Sequence, residues 1–176
     1  SPFSDVPTNH PFYKEIVWMH QRGITTGYGD GTFRPDQSVE RGAMAAYFYR
    51  MAGSPAVNLP KTSPFLDVPT NHPFYKEIVW MHQRGITTGY GDGTFRPNEA
   101  VSREATAAFL YRYSGSPVIP AVHGSGFKDV RANNSFYREI IWLESRKITA
   151  GYGDGTFRPY DSVSRGAMAA FLYRMR

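Results

Sequence analysis

The sequence predicts an all-α protein in which three helix-loop-helix repeats form a pseudo-threefold assembly around a shared helical core. Three observations predict it. The nonapeptide Gly27-Tyr28-Gly29-Asp30-Gly31-Thr32-Phe33-Arg34-Pro35 returns letter for letter from Gly89 to Pro97 and from Gly151 to Pro159, which sets a fixed period of 62 residues; such a period marks a repeat architecture. Apolar residues on either side of each copy fall at helical rather than alternating spacing. Finally, 176 residues divide into units of about sixty, each marginal alone and dependent on neighbours to cover its apolar helices.

Repeat one opens on Phe3-Ser4-Asp5-Val6 and a turn-rich stretch through Pro11, with proline tolerated where a helix begins. A helix from about Phe12 to Arg22 follows, with Phe12, Ile16, Val17 and Met19 at helical spacing and Gly23 as its C-terminal stop. Gly29-Asp30-Gly31 reads as a turn, and Pro35 closes that segment. A second helix runs from about Arg41 to Met51, apolar on an arc so wide that much of it belongs in the middle of the assembly.

Repeat two, from Phe65, copies repeat one through Pro97 except for Leu66 in place of Ser4. Repeat three, from Phe127, exchanges Pro7 for Arg131, His10 for Asn134, Gly23 for Lys147 and Thr26 for Ala150, so its site is expected to differ. The expected units are residues 1–53, 65–115 and 127–176, joined by short linkers at 54–64 and 116–126 rich in Pro, Gly and small residues, and acting together as one cooperative domain.

With no cysteine, neither a disulfide framework nor a thiolate metal site is available. No apolar run approaches the roughly 18 residues of a membrane span, so membrane insertion is not expected. Ser1-Pro2-Phe3 matches Ser63-Pro64-Phe65; the chain opens at a repeat boundary and reads as a piece of a longer protein. The net charge is +5, with arginines at matching places in every repeat: 22, 84 and 146; 34, 96 and 158; 41, 103 and 165; 50, 112 and 174. That recurrence suggests an acidic partner. Nucleic acid is not the expected one, because no basic run, helix-turn-helix pattern or ribonucleoprotein motif accompanies the charge.

Other chemistry is poorly supported. Asp30, Asp92 and Asp154 lack the acidic neighbours of a calcium loop and read as turn residues. His10, His20, His72 and His82 have no partner at metal-ligand spacing, and repeat three has Asn134 and Glu144 there. Asp5 and Glu15 suit a turn and a helix first turn rather than a catalytic pair. No nucleophile stands beside a base, so an enzyme is not expected, nor any cofactor or metal. The positive case is binding: Arg41, Arg103 and Arg165 open the second helices, where N–H groups left over at a helix N-terminus favour an anion, and Tyr and Trp offer flat faces that pack on sugar rings.

Phe3-Ser4-Asp5-Val6, the run from Gly23 to Pro35 and their copies resemble the S-layer homology domain family over essentially the whole chain. That family is a bacterial cell-wall anchoring module usually found as three tandem copies. Its Thr-Arg-Ala-Glu box appears here as Glu40-Arg41-Gly42-Ala43, Ser102-Arg103-Glu104-Ala105 and Ser164-Arg165-Gly166-Ala167, so only the Arg survives in all three. Ser102 and Ser164 can still cap their helices, whereas Glu40 is a poor cap, worth about 1 kcal/mol. The family's His-Trp pair is likewise replaced, by His10-Pro11-Phe12, His72-Pro73-Phe74 and Asn134-Ser135-Phe136.

The resemblance implies an extracellular, cell-surface module whose inter-repeat grooves bind a peptidoglycan-linked secondary cell-wall polysaccharide, often through a pyruvate ketal contacted by the box Arg. The ligand-binding set expected here is Arg41, Arg103 and Arg165 with Asp5, Asp67, Asp129, Gly27, Gly89, Gly151, Tyr28, Tyr90 and Tyr152. Replacing the arginines is expected to harm binding more than stability. The competing reading of those arginines pairs each with Asp5, Asp30 or their copies. The rival function is a protein-interaction or adhesion module at the cell surface; a glycan hydrolase lacks a suitable acid and nucleophile.

Overall fold

The computed structural model describes residues 1–119 and 124–176. It contains six helices: α1 Tyr13–Gln21, α2 Arg41–Met51, α3 Tyr75–Gln83, α4 Arg103–Tyr113, α5 Tyr137–Ser145 and α6 Arg165–Arg174. Among the described residues there is no strand beyond isolated bridges, so the protein is all-α.

The first helix of each repeat is started by the side chain three residues ahead of it. His10 Nδ1 accepts the Phe12 N–H at 3.1 Å and His72 Nδ1 that of Phe74 at 3.0 Å, while Asn134 Oδ1 accepts that of Phe136 at 2.7 Å. The His-to-Asn exchange in repeat three therefore preserves an acceptor at the same place. Each helix ends on a residue of left-handed backbone, Gly23 at φ +66° and Gly85 at φ +67°, but in repeat three the side-chain-bearing Lys147 takes φ +57°.

Second helices pack on the first helices of the following repeat: α2 on α3, α4 on α5, and α6 back on α1. This explains the wide apolar arc of α2, since Met44, Ala45 and Phe48 are all fully buried among elements of more than one repeat. At the centre the segments preceding the second helices bond to one another. Val39 N–H donates to Val163 O at 2.8 Å, Val163 N–H to Val101 O at 3.0 Å, and Val101 N–H to Val39 O at 2.9 Å. Each repeat thus completes the backbone bonding of another, and the valines themselves are buried.

The repeated nonapeptide is a loop held from behind. The Asp5 carboxylate accepts the N–H groups of Phe33 at 2.8 Å and Arg34 at 2.6 Å, and Asp67 and Asp129 do the same for their copies. Gly27 lies under the Phe3 ring at φ +69°, where an added Cβ would collide with that ring and with the Thr32 carbonyl, so only glycine fits. The 54–64 linker is fastened to the surface: Tyr49 OH donates to Pro55 O, Gln83 Nε2 to Asn58 O and Tyr75 OH to Pro60 O. In the 116–126 linker Tyr111 OH donates to Pro117 O; its residues 120–123 lie outside the described ones.

Candidate functional site

Arg41, Arg103 and Arg165 start α2, α4 and α6 and are only 5%, 5% and 7% exposed. Each reaches into the loop of the next repeat. Arg41 Nε donates to Phe95 O at 2.7 Å, Arg103 Nε to Phe157 O at 2.6 Å and Arg165 Nε to Phe33 O at 2.7 Å. None forms an ion pair among the described residues. The aspartates considered as their partners are engaged elsewhere: Asp5, Asp67 and Asp129 bind loop amides, and Asp30, Asp92 and Asp154 pair with Arg34, Arg96 and Arg158 at 2.9–3.1 Å.

The box arginines sit instead among aromatic rings. The Arg41 guanidinium carbon lies 4.8, 4.7 and 5.3 Å from the ring centres of Tyr90, Phe95 and Phe109; Arg103 stands likewise to Tyr152, Phe157 and Phe171, and Arg165 to Tyr28, Phe33 and Tyr47. Ring quadrupoles offset part of the cost of burying the cation. Burial pushes the Arg41 and Arg103 side chains below their usual value, yet a guanidinium stays protonated.

A cavity opens beside each of them. The one at Arg165 has about 300 Å³, that at Arg41 about 370 Å³ and that at Arg103 about 340 Å³, at the lower end of small-ligand pockets. All three repeats contribute to every cavity. One supplies the box Arg; a second supplies the Thr-x-Gly-Tyr run and a further Arg from the end of its second helix; the third supplies a phenylalanine ahead of its first helix, Phe74, Phe136 or Phe12. Those further arginines, Arg50, Arg112 and Arg174, are held by donating to Ile24 O, Ile86 O and Ile148 O at 3.1, 3.4 and 3.0 Å. A larger cavity of about 600 Å³, lined by Pro117, Val118, Trp142 and Arg176, lies apart from the box arginines.

The predicted site residues thus separate. The arginines, Gly27, Gly89, Gly151, Tyr28, Tyr90 and Tyr152 line the cavities; Asp5, Asp67 and Asp129 do not, because both oxygens of each hold the loop. Most of the helix N–H groups expected to await an anion are also consumed. Arg41 N–H donates to Glu99 O and Gly42 N–H to Pro97 O, and α4 and α6 dock likewise on Asp161, Pro159, Gln37 and Pro35. The helix start is itself an inter-repeat joint, which the sequence reading did not anticipate.

That reading also passed over Arg50, Arg112 and Arg174 as site residues, though their threefold recurrence was the available signal. Nothing local marks Phe12, Phe74 and Phe136, since they enter from a third repeat. Two of the three boxes carry glycine after the arginine, and there a Cβ on Gly42 would meet the Phe74 ring and one on Gly166 the Phe12 ring. At the remaining junction Glu104 stands in that position and accepts from Asn134 Nδ2 at 3.0 Å.

A family model described as the S-layer homology domain matches residues 2–45, 64–107 and 126–169. The chain belongs to the S-layer homology domain family. It is 27% identical to cell surface glycoprotein 1 of Acetivibrio thermocellus over 97% of this chain and 8% of that protein. The cellulosome-anchoring protein of the same organism is 27% identical over 84% of this chain and 34% of its own length, and an S-layer protein of Bacillus licheniformis 27% identical over 97% and 19%. This chain therefore spans only a minor part of those relatives. S-layer homology repeats and these relatives place the chain at the cell surface, in a cell-wall setting. Among the described residues no helix is long and apolar enough to cross a membrane.

Proposed function

We propose that this S-layer homology module anchors a larger surface protein to the cell wall without a covalent bond, by holding acid-bearing sugars of a peptidoglycan-linked secondary polysaccharide in its three cavities. The observation that carries the reading is the box arginine: buried, its side chain hydrogen-bonded through Nε alone and without an ion pair among the described residues, and repeated three times beside a cavity that holds a second arginine. A guanidinium so placed suits the carboxylate of a pyruvate ketal, and Tyr28, Tyr90 and Tyr152 line the cavities with Arg34, Arg96 and Arg158 stacked on their rings at 3.8 Å. The helix pairing that returns from α6 to α1 supports a pseudo-threefold arrangement of one cooperative domain with three related, unequal sites.

The test is a pull-down on purified cell-wall sacculi before and after extraction of the non-peptidoglycan polymer. Binding is expected only before extraction, and weaker after mild acid removal of pyruvate ketals. Equal binding to bare peptidoglycan would sink the reading.

A further inference from the structure

Helices α1 and α3 have one sequence, Tyr-Lys-Glu-Ile-Val-Trp-Met-His-Gln, yet they are covered differently. Across the outer face of α3 lies the 54–64 linker. Its carbonyls accept from Tyr49, Gln83 and Tyr75, its Val57 packs against the core, and beneath it Val79 and Trp80 are only 1% and 5% exposed. On α1 the same two side chains, Val17 and Trp18, are half-buried. Tyr13 and Gln21, the counterparts of Tyr75 and Gln83, have no such carbonyl partners among the described residues, and Gln21 is exposed.

The other junctions point the same way. Between α4 and α5, Tyr111 stands edge-on to Trp142 at 5.5 Å and donates to Pro117 O, and Ile119 packs against the core. Pro117 and Val118 there form a wall of the cavity beside Trp142. Between α6 and α1, Tyr173 stands edge-on to Trp18 at 5.4 Å in the same manner. Its ring is met by the Lys14 ammonium at 5.2 Å and the Arg176 guanidinium at 3.6 Å, and among the described residues its hydroxyl donates to no carbonyl. The cavity beside Trp18, about 390 Å³, is lined there by Arg22, Met51 and Arg176, with no linker residue among the described ones.

We propose that the outer groove between α6 and α1 docks an extended, proline-containing segment of the longer protein, leaving α6 as the linkers leave α2 and α4. That such a segment is present rests on reading the module as the anchor of a larger surface protein; the groove and the chemistry it selects rest on this chain. The partner carbonyl belongs to a proline six residues after Tyr173, the spacing of Tyr49 to Pro55 and of Tyr111 to Pro117. Later carbonyls accept from Gln21 and Tyr13, and an apolar residue between them closes over Val17 and Trp18. The segment is uncharged, as Ser54-Pro55-Ala56-Val57-Asn58-Leu59-Pro60 is, because Lys14 and Arg176 already bring positive charge to the groove. Proline keeps it extended and lowers the entropy lost on docking, and attachment to α6 makes the docking intramolecular. It fastens the one helix pair that no linker crosses.

The test appends a copy of residues 53–61 to the whole chain after Arg176, which sets a proline six residues beyond Tyr173, and compares it with a Gly-Ser tail of equal length. The copied tail is expected to raise the melting temperature about 2–4 °C above the Gly-Ser tail. It is also expected to move the Trp18 indole N–H resonance while those of Trp80 and Trp142 stay in place. Tyr173→Phe in the chain with the copied tail should lose about half of the gain, since one hydroxyl donor is gone. Equal melting temperatures for the two tails, an unmoved Trp18 resonance, or a gain untouched by Tyr173→Phe overturns the proposal. Concentration-dependent movement of the Trp18 resonance in the tail-free chain, with a dimer seen by light scattering, would make a second copy the occupant and overturn it as well. Failure of the wild type to bind sacculi would sink the wall-anchoring reading and leave the comparison of tails intact.

Discussion

Arg165 Nε donates to the Phe33 carbonyl at 2.7 Å across 132 residues of sequence, joining the last helix to the first loop. The same bond runs from Arg41 to Phe95 and from Arg103 to Phe157, so every repeat is completed by another. A repeat cut free loses its loop's carbonyl partner, the backbone bonds of its valine and the helix that covers its first helix.

The first prediction follows directly. Residues 1–53 alone are expected to be largely unfolded by circular dichroism, whereas the whole chain melts in one transition. A sharp transition with full helicity in the isolated repeat would remove the shared-core account.

Arg103→Ala is expected to affect both stability and binding. Sequence reasoning expected the loss to fall mainly on binding; burial and the bond to Phe157 O add a structural cost of about 1–3 kcal/mol for an orphaned carbonyl and lost packing. In the still-folded protein, glycan affinity at that cavity should fall about ten- to a hundredfold. Arg103→Lys keeps a charge without the Nε donor or the fork and should recover only part. Arg84→Ala, at an exposed position, should change neither. Calorimetry below the melting temperature of each variant decides; normal binding by folded Arg103→Ala would make Arg103 structural only.

Acid should loosen the loops in a defined window. The carboxyls of Asp30, Asp92 and Asp154 are held at about 2, against an ordinary 3.8, first by the hydroxyls of Thr32, Thr94 and Thr156 and further by loop amides and Arg34, Arg96 and Arg158. Because folding lowers these values, their stabilisation is fully present above 3.8 and is lost as pH falls towards about 2. Melting temperature measured against pH should therefore drop more steeply in that window for the wild type than for a triple Asp→Asn variant. Parallel curves would count against the loop bonds.

Lys147→Gly is expected to stabilise. Lys147 holds φ +57° where Gly23 and Gly85 stand in the other repeats, and relieving that conformation in a side-chain-bearing residue gains about 1 kcal/mol, or about 2–4 °C in a chain of this size. An unchanged or lower melting temperature would mean that the Lys147 side chain makes a compensating contact.

The sequence by itself determined the repeats, the helices and most of the loop. Identical nonapeptides at one spacing are a property of the letters alone, and helical spacing of apolar residues sets α2 at Arg41–Met51 as found. Tyr28 and the box arginines, which line the cavities, were legible as candidates because they recur. Only the tertiary structure decided that Asp5 serves the loop and not the ligand, that the first N–H groups of α2 are spent on Pro97 and Glu99, and that Phe74 enters a cavity whose arginine comes from Arg165. These are contacts between different repeats, and sequence periodicity cannot say which repeat meets which. That pairing is set by the burial of apolar helix faces and by the backbone bonds among Val39, Val101 and Val163, which exist only once all three repeats are together.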